Sequence, residues 1–353
     1  MHRFVIKIGT NVLTRPDGLL DLDTIRHLVE QITALRKAGK EVIVISSGAV
    51  GAGRSIIALP RDISRVVQRQ VLAAVGQIKL ISLYAELFAG HGLHCAQVLA
   101  TKEDFRDRRH YLNMQNCFSA LLRDNIVPIV NENDVVSVSE LMFTDNDELA
   151  GLTAALTGAD TLVILSNVDG LLDGPPGHPG SRLIPEVLPG DRRLPDVIEP
   201  TRSSFGRGGM ATKFRFAQKA ASVGITTWIA NGKRTNVLLD LLDEKPVGTR
   251  FTARQAVNNL KKWMAYDESA RKGLIVVNAG AVQALRERVS SLLPVGVVRI
   301  DGQFERGDLV AIAAEDGTTL GYGKVQYGAE IARKSMGQKG KKPLVHYDYL
   351  YLD

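Results

Sequence analysis

The sequence predicts an α/β fold for residues 1–253: a three-layer α/β/α sandwich with a mainly parallel sheet, followed by a small, mostly-β domain. Strand-like and helix-like segments alternate along these residues, which is typical of a parallel sheet covered by helices on both faces. After residue 272 the pattern changes to short β-rich runs separated by glycines. We therefore expect a domain at 1–253, a polar, helix-prone linker at 254–272 and a second domain at 273–353.

Short apolar runs rich in Val, Ile and Leu are the clearest strands. They lie at residues 4–8, 41–46, 126–130, 161–165 and 226–230. Apolar residues at helical spacing predict helices at about 63–88, 112–122, 147–156 and 210–222. Another helix is predicted around Ile25 to Leu35, with Asp21 or Asp23 as its N-cap and Gly39 just past its end. The Pro-, Gly- and Arg-rich stretch at 174–200 is predicted to be a surface excursion.

The composition is that of an ordinary globular protein: 353 residues, 45% hydrophobic and 23% charged, enough for a large core. No apolar run reaches the roughly 18 to 20 residues of a membrane helix, and the first residues lead straight into a strand. We therefore expect a cytoplasmic protein without a membrane partner. Cys95 and Cys117 lie in apolar segments, so we expect free, buried thiols rather than a disulfide framework or a cysteine metal site.

The net charge of +6 is concentrated in the second part of the chain, where residues 254–353 hold 15 Lys and Arg against 11 Asp and Glu. Such an excess can attract anionic partners, including RNA. A cluster such as Lys339, Lys341 and Lys342 is, however, more often a solvated loop.

Two lysines in glycine-flanked loops indicate a phosphate site. Lys7 closes the first strand, in Lys-Ile-Gly-Thr-Asn at 7–11, and Lys213 falls in the first turn of a predicted helix, after Gly-Gly-Met-Ala-Thr. The glycine-rich segment at 45–53 follows another strand, where its glycines either let the backbone approach an anion or form a tight strand-to-helix turn. It is not a P-loop, because Arg54 stands where that motif needs lysine. Nor does a Gly-x-Gly-x-x-Gly follow the first strand, which removes the main reason to expect a dinucleotide enzyme.

Two acidic clusters follow at Asn131 to Asp134 and at 144–148. Both fall where α/β proteins bind ligands, beyond the carboxyl ends of strands and at helix N-termini. Asp145 alone would be interpreted as a helix cap, but two clusters exceed what capping requires. Carboxamides and carboxylates can hold an amino-acid substrate, and a carboxylate can orient a lysine or a hydrated Mg²⁺. The sequence lacks the His and Cys spacing of a transition-metal site.

Five of these segments, at 7–11, 46–49, 131–134, 145–147 and 208–213, follow one another along the chain as in the amino acid kinase family. The sequence resembles this family, and within it the members that phosphorylate glutamate. The segments at 272–280, 290–296 and 304–308 resemble the PUA domain that many bacterial members carry. The resemblance implies ATP-dependent phosphorylation of the L-glutamate side-chain carboxylate to L-glutamyl 5-phosphate, the first step of proline biosynthesis, with ATP and Mg²⁺ as cofactors. It also implies feedback inhibition by proline, assembly into dimers or tetramers, and hand-off of the product to glutamyl phosphate reductase.

Site residues are carried over on the same resemblance. Lys7 and Lys213 would act on the ATP phosphates, with Asp147 holding both lysines in place. Glutamate would be bound by Ser47, Asp134 and Asn146. The nucleotide residues would be Lys7, Ser166, Asn167, Arg207, Gly208, Gly209, Met210, Ala211, Thr212 and Lys213. The chain departs from many relatives at Ser166-Asn167, where they have Thr-Asp, and at Arg207, where they have a small residue. No metal ligand is assigned.

These residue types suit a carboxylate acceptor. The side-chain carboxyl of glutamate, with a reference pKa near roughly 4.3, is already ionised at neutral pH and needs no general base. Lysines, Mg²⁺ and helix N-termini can neutralise charge on the transferring group. Asp134 is a candidate partner for the α-ammonium, which favours free glutamate over N-acetylglutamate.

Two alternatives stay open. The chain could act on aspartate, carbamate, acetylglutamate or a nucleoside monophosphate, although the PUA-like tail argues against this. It could instead be an RNA-binding protein whose kinase domain is only a scaffold. The intact pair of lysines with Asp147 argues against this alternative. For the tail itself, a structural or oligomer-tuning role is favoured over RNA binding.

Overall fold

The structure is a computed structural model. It describes residues 2–60, 63–106, 108–136, 143, 145–174, 178, 180–189, 191, 209–253, 271–287 and 290–352. The chain divides into two compact units, Met1–Ala256 and Val257–Asp353. The predicted linker lies outside the described residues except for its last two, which begin a strand.

The first unit is built on one eight-stranded sheet. Its strands are β1 Arg3–Ile8, β2 Glu41–Ser46, β3 His94–Ala100, β4 Ile126–Glu132, β5 Thr161–Ser166, β6 Glu186–Val187, β7 Thr226–Asn231 and β8 Gly248–Phe251. In space the order is β3-β4-β2-β1-β5-β7-β8-β6. Every neighbouring pair is parallel except β7 and β8. The predicted mainly parallel sheet is therefore confirmed, although β3, β6 and β8 were not among the predicted strands.

Helices connect the strands of this unit. They are α1 Thr10–Leu13, α2 Leu22–Lys37, α3 Ala49–Arg54, α4 Arg65–Ala89, α5 Lys102–Arg106, α6 Arg108–Arg123, α7 Asn146–Thr157, α8 Met210–Ser222 and α9 Val237–Leu242. The prediction for α2 is confirmed at both ends. The Asp21 carboxylate accepts a hydrogen bond from the Thr24 N–H, and Gly39, just beyond the helix, is left-handed with φ of 75°.

The two faces of the sheet have different roles around β1. Phe4, Ile6 and Ile8 point to one face, where they share a core with buried apolar residues of α2 and α4. Successive side chains of a strand alternate between faces, so Lys7 points to the opposite one. That face is covered at β1 by α7, and α8 packs against α7. Strand alternation thus directs Lys7 toward the helices that carry the other charged residues of interest.

The glycine-rich segment after β2 is a tight turn into a closely packed helix. Gly48 is left-handed with φ of 103° and caps α3. A Cβ at Gly53 would lie 2.0 Å from the Leu72 carbonyl oxygen, and one at Gly76 would lie 1.8 Å from the Ala49 carbonyl oxygen. Only glycine permits so close an approach of the α3 and α4 backbones. Of the two interpretations of this segment, the strand-to-helix turn accounts for Gly48 and Gly53.

Helix α4 is the one helix in the described ranges whose length and composition would allow it to cross a membrane. It has 25 residues, and the most apolar stretch of 18 has a mean hydropathy of 1.5 and is one-third buried. The sequence pattern, in which no apolar run is as long as a membrane helix, did not anticipate this helix. Leu80, Tyr84 and Phe88 are fully buried in the core of the first unit.

The cysteine prediction is wrong in part. Both thiols are free, but Cys95 is only half-buried and Cys117 is exposed. On α6 the core residues Tyr111, Phe118 and Leu122 are buried, at spacings of seven and four residues that place them on one face of the helix. Cys117 lies outside that face of the helix and is exposed. Apolar neighbours in the sequence therefore did not imply that its side chain is buried.

The second unit is mostly β, as predicted. Its strands are β9 Arg271–Val277, β10 Val297–Gly302, β11 Leu309–Ala314, β12 Thr319–Val325 and β13 Val345–Leu352. They form one sheet in the order β10-β9-β11-β12-β13, in which only β9 and β11 are parallel. The helices α10 Ala279–Glu287 and α11 Ala329–Ser335 accompany this sheet. Ile275, Val310, Ile312 and Val345 lie in a separate core.

Candidate active site

Asp147 lies between the two lysines that the sequence singled out. Its Oδ1 is 2.7 Å from the Lys7 Nζ, and its Oδ2 accepts a hydrogen bond from the Lys213 Nζ at 2.8 Å. The Asp147 side chain is completely buried, whereas the lysine side chains retain 5% and 11% of their exposure. The predicted grouping of Lys7, Lys213 and Asp147 therefore exists as a three-residue ion pair.

Local structure explains why these groups meet. Lys7 is the penultimate residue of the central strand β1 and points toward α7. Asp147 lies in the first turn of α7, and Lys213 lies in the first turn of α8. Both helices thus begin beside the carboxyl end of β1, the edge at which open α/β sheets bind ligands.

The ion pair fixes the charge states of Asp147 and Lys213. Burial alone would raise the pKa of Asp147, but Lys7 and Lys213 outweigh burial and hold that pKa well below its ordinary value. Burial alone would lower the pKa of Lys213, but Asp147 and Asp145 outweigh it and raise the pKa above the ordinary value. The carboxylate and this ammonium are therefore ionised together at neutral pH.

Asp145 caps α7 from within the same cluster. Its Oδ1 accepts a hydrogen bond from the Asp147 N–H at 2.6 Å, while its buried Oδ2 has no hydrogen-bond partner among the described residues. Burial, followed by the nearby charge of Asp147, raises the pKa of Asp145 to about 6, although both lysines act in the opposite direction. This carboxyl therefore caps a helix, as the sequence alone would suggest, and also titrates within the cluster.

A second polar group extends from the start of α7 toward β2 and β4. The Asn146 Nδ2 donates to the Ser47 Oγ at 2.9 Å and to the Asn131 Oδ1 at 3.1 Å. Asn131 in turn donates to the Gln77 Oε1 at 3.0 Å. Two residues assigned to glutamate by resemblance, Ser47 and Asn146, are thus in direct contact beside Asp147.

The third residue assigned to glutamate, Asp134, is held by an arginine. Its Oδ1 accepts hydrogen bonds from the Arg69 Nε at 2.9 Å and from the Arg69 NH2 at 2.7 Å. The same guanidinium lies 3.7 Å from the Glu132 carboxylate, which also accepts from the Phe143 N–H. Arg69 and Gln77 were not predicted as site residues, and Asn131 was predicted only as part of the acidic cluster that ends at Asp134. Arg69 and Gln77 belong to α4, far from the motifs in sequence, and only the tertiary fold brings them here.

The residues assigned to the nucleotide lie at the ends of β5 and at the start of α8. Ser166 is the last residue of β5 and is buried, whereas Asn167 is exposed. Gly209 is the N-cap of α8 and provides no side-chain cap, and Met210 to Lys213 form its first turn. Arg207 and Gly208 lie outside the described residues.

The sequence matches two known families. Residues 2–231 match the amino acid kinase family, and residues 273–347 match the PUA domain. The sequence is similar to a protein named glutamate 5-kinase from Chlorobaculum tepidum, with 49% identity over 99% of this chain and 97% of that protein. It is similarly related to a glutamate 5-kinase from Bacteroides thetaiotaomicron, with 51% identity over 99% of this chain and 98% of the relative.

Solved structures with the same fold are more distant in sequence. UMP kinase from Ureaplasma parvum superposes with a TM-score of 0.50 at 17% identity, covering 71% of this chain and 98% of that one. Isopentenyl phosphate kinase from T. acidophilum gives a TM-score of 0.51 at 17% identity, covering 70% of this chain and 99% of that one. At this identity the likeness shows the fold alone. Together with the family match and the relatives near 50% identity, it establishes that this chain belongs to the amino acid kinase family and carries a C-terminal PUA domain.

Proposed function

We propose that this chain transfers the γ-phosphoryl group of ATP to the side-chain carboxylate of L-glutamate, giving L-glutamyl 5-phosphate and ADP. This is the first step of proline biosynthesis. The observation that carries the proposal is the pair of ammonium groups, Lys7 and Lys213, held on one buried carboxylate at the sheet edge. Relatives named glutamate 5-kinase, which are near 50% identical over almost the full chain, support glutamate as the phosphoryl acceptor.

The reaction requires charge neutralisation rather than a base. A carboxylate oxygen of glutamate forms a bond to the γ-phosphorus while the bond from that phosphorus to the β–γ bridging oxygen breaks, so no proton has to be removed from the acceptor. Both reactants are anions, and the barrier falls when cations hold them in line. Lys7 and Lys213 supply those cations, with Asp147 keeping them at fixed positions.

The first turn of α8 adds neutral donors to the lysines. Gly209 has no side chain with which to cap the helix, so we expect the first N–H groups of α8 to donate to phosphate oxygens. Ser166, Asn167 and the residues from Gly209 to Lys213 would line the nucleotide, together with Arg207 and Gly208, which lie outside the described residues.

Mg²⁺ fits beside Asp145. Magnesium usually keeps several waters and is bound through one or two carboxylates together with substrate phosphates. Among the described residues, the buried Oδ2 of Asp145 has no hydrogen-bond partner, so this carboxyl has an oxygen to offer a cation. When bound, the metal would offset phosphate charge during transfer.

Ser47, Asn146 and Asp134 form the glutamate side of this proposal. The Ser47 hydroxyl and the Asn146 carboxamide can hydrogen-bond polar groups of the substrate. Asp134 is the anion suited to the α-ammonium, which N-acetylglutamate lacks.

The experiment is a substrate panel with the purified chain, ATP and Mg²⁺. Hydroxylamine converts an acyl phosphate to a hydroxamate, so hydroxamate and ADP should form together with L-glutamate. N-acetylglutamate, L-aspartate, carbamate and UMP test the other acceptors used by proteins of this fold class. A higher kcat/KM with any of these four would overturn the choice of glutamate. Absence of ADP formation with all five would overturn the kinase assignment.

For the second unit we propose a structural role that tunes assembly into dimers or tetramers, to be tested by light scattering of the whole chain. RNA binding is the alternative. It is supported by an aromatic group on the edge strand β13, where Tyr347 and Tyr349 are exposed and His346 lies beside them. From the neighbouring strand β12, the Lys324 Nζ lies 5.8 Å from the Tyr349 ring centroid. Aromatic rings next to cations suit stacked bases. Affinity for single-stranded RNA that falls with rising salt would support this alternative.

Three further proposals follow from the proposed reaction. Proline, as the pathway's end product, would inhibit the enzyme, which a titration of the glutamate assay with proline tests. The labile acyl phosphate favours direct transfer to glutamyl phosphate reductase, which a coupled assay with a trapping agent tests. A reaction that consumes ATP for biosynthesis also favours a cytoplasmic location, which fractionation tests.

A further inference from the structure

Arg69 is a charged residue beside the proposed glutamate pocket. It lies on α4, and its side chain retains 34% of its exposure, whereas that of its partner Asp134 retains 8%. Arginine can engage a carboxylate with two parallel hydrogen bonds, one to each oxygen. Here both hydrogen bonds, from Nε at 2.9 Å and from NH2 at 2.7 Å, go to the same oxygen, Oδ1.

Within the part of the chain that the structure describes, the hydrogen bonds and the ion pair of Asp134 all use Oδ1, which leaves its second oxygen available. A buried carboxylate without a fixed partner would change its orientation and would be costly to keep charged. With Oδ1 fixed by two donors, the plane of the carboxylate has little freedom, while Oδ2 is not used by the arginine. An ammonium group could then bind Oδ2 without displacing Arg69.

Arg69 is itself fixed by a second carboxylate. Its NH2 lies 3.7 Å from the Glu132 Oε2, and the Glu132 Oε1 accepts a hydrogen bond from the Phe143 N–H at 3.0 Å. Phe143 is buried and packs edge-to-face on Phe105, with ring centroids 5.9 Å apart. The guanidinium therefore lies between two carboxylates, and that of Glu132 is hydrogen-bonded to the backbone of a buried residue.

We propose that Arg69 is a positioning residue that holds Asp134 by one oxygen so that the other receives the α-ammonium of the substrate. Arg69 thereby contributes to the selection of a free amino acid over ligands that lack the ammonium. This inference rests on the proposed function, because it takes Asp134 as the partner of that ammonium.

The first test replaces Arg69 by glutamine. Arg69→Gln should raise the KM for glutamate by about 10- to 100-fold, the scale on which outer-shell partners act at metal sites. The kcat and the KM for ATP should change by less than about twofold, because chemistry and nucleotide binding use other residues. Arg65→Gln is the matched control, since Arg65 is exposed on the same helix and loses the same charge. If Arg69 had only a structural role, Arg69→Gln would raise the KM for ATP and lower kcat as well as raise the KM for glutamate.

The second test uses glutarate, which is glutamate without its amino group, as a competitive inhibitor. If Arg69 acts through Asp134, Arg69→Gln leaves the inhibition constant of glutarate unchanged. If Arg69 instead binds the α-carboxylate directly, that constant rises as much as the KM for glutamate, and the proposal is overturned.

A double-mutant cycle covers the case in which Arg69→Gln does not fold. Neither Asp134→Asn nor the combined Arg69→Gln/Asp134→Asn variant has a carboxylate at position 134 for residue 69 to hold, so their KM values for glutamate should be equal. A further rise in the double variant would overturn the positioning role. If Asp134→Asn alone leaves the KM for glutamate unchanged, it is the glutamate-side assignment under the proposed function that fails.

Discussion

Lys7 and Lys213 bind opposite oxygens of the same buried carboxylate, although they come from the first strand and from a helix near the other end of the first unit. The Asp147 side chain offers each ammonium one oxygen, at 2.7 and 2.8 Å. Two cations that would repel each other are thereby held close together. Such a pair is suited to span the oxygens of a transferring phosphoryl group.

Replacing Lys213 by alanine should lower kcat by about 10²- to 10³-fold, the scale for loss of one preorganised charge donor at a transition state. The measurement is kcat in the glutamate assay, with circular dichroism to verify folding. Arg215→Ala is the control, because Arg215 is exposed on the same helix. A folded Lys213→Ala variant with near-normal turnover would remove Lys213 from the reaction.

Replacing Asp147 by asparagine tests the link between the two lysines. The carboxamide cannot neutralise both ammonium groups, so we expect kcat to fall by at least about 10²-fold. The free energy of unfolding should fall by about 3 kcal/mol, since partners of a buried charge are left uncompensated. Urea unfolding and steady-state kinetics measure the two effects. Full activity in Asp147→Asn would show that the lysines do not need their shared carboxylate.

Asp145 gives a pH dependence with a defined sign. Its pKa is about 6 in the folded chain against an ordinary value of 3.8, so the folded state binds the extra proton between these values. Ionisation of Asp145 therefore lowers the free energy of unfolding as pH rises from about 4 to 6.

Asp145→Asn keeps a good N-cap but removes that ionisation. Relative to the native chain, the variant should be unchanged near pH 4 and more stable above pH 6, by up to about 3 kcal/mol. The lowered pKa of Asp147 contributes to the free energy of unfolding with the opposite sign, and this contribution is lost as pH falls below the ordinary pKa. The native chain and Asp145→Asn share it, so it does not affect their difference. Urea unfolding at several pH values measures the difference, and a difference independent of pH would contradict this interpretation.

The contact between α3 and α4 predicts a steep stability effect. A Cβ at position 76 would lie 1.8 Å from a backbone carbonyl oxygen, so Gly76→Ala should destabilise the first unit by at least about 3 kcal/mol, the upper end for overpacked cores. Gly90→Ala is the control at the end of the same helix. Gly90 has helical dihedral angles, and its nearest neighbour would be 3.4 Å from the new Cβ. Equal melting temperatures for the two variants would show that α3 and α4 can move apart at little cost.

Most of the fold could be predicted because its central strands are buried on both faces. β1, β2, β4, β5 and β7 are nearly continuous apolar runs, which is the pattern of interior parallel strands. β3 was not predicted, since it is an edge strand with partly exposed residues, including His94 and Gln97. The two residues of β6 are too few to carry a pattern.

The site could be predicted only where its residues lie in local motifs. Lys7, Asp147 and Lys213 each follow or open a regular element, and the structure brings them together. Arg69 has no such signal, because one arginine on a helix does not reveal which carboxylate it faces. The contact with Asp134 depends on how α4 packs beside β4, which is a property of the tertiary fold.

The measurement that tests the central claim most directly is a crystal structure with a non-hydrolysable ATP analogue, Mg²⁺ and L-glutamate bound. We predict that the ammonium groups of Lys7 and Lys213 contact phosphate oxygens while Asp147 remains between them. The glutamate side-chain carboxylate should lie in line with the γ-phosphorus, with its α-ammonium at Asp134. A nucleotide bound away from both lysines would contradict the proposed reaction at this site.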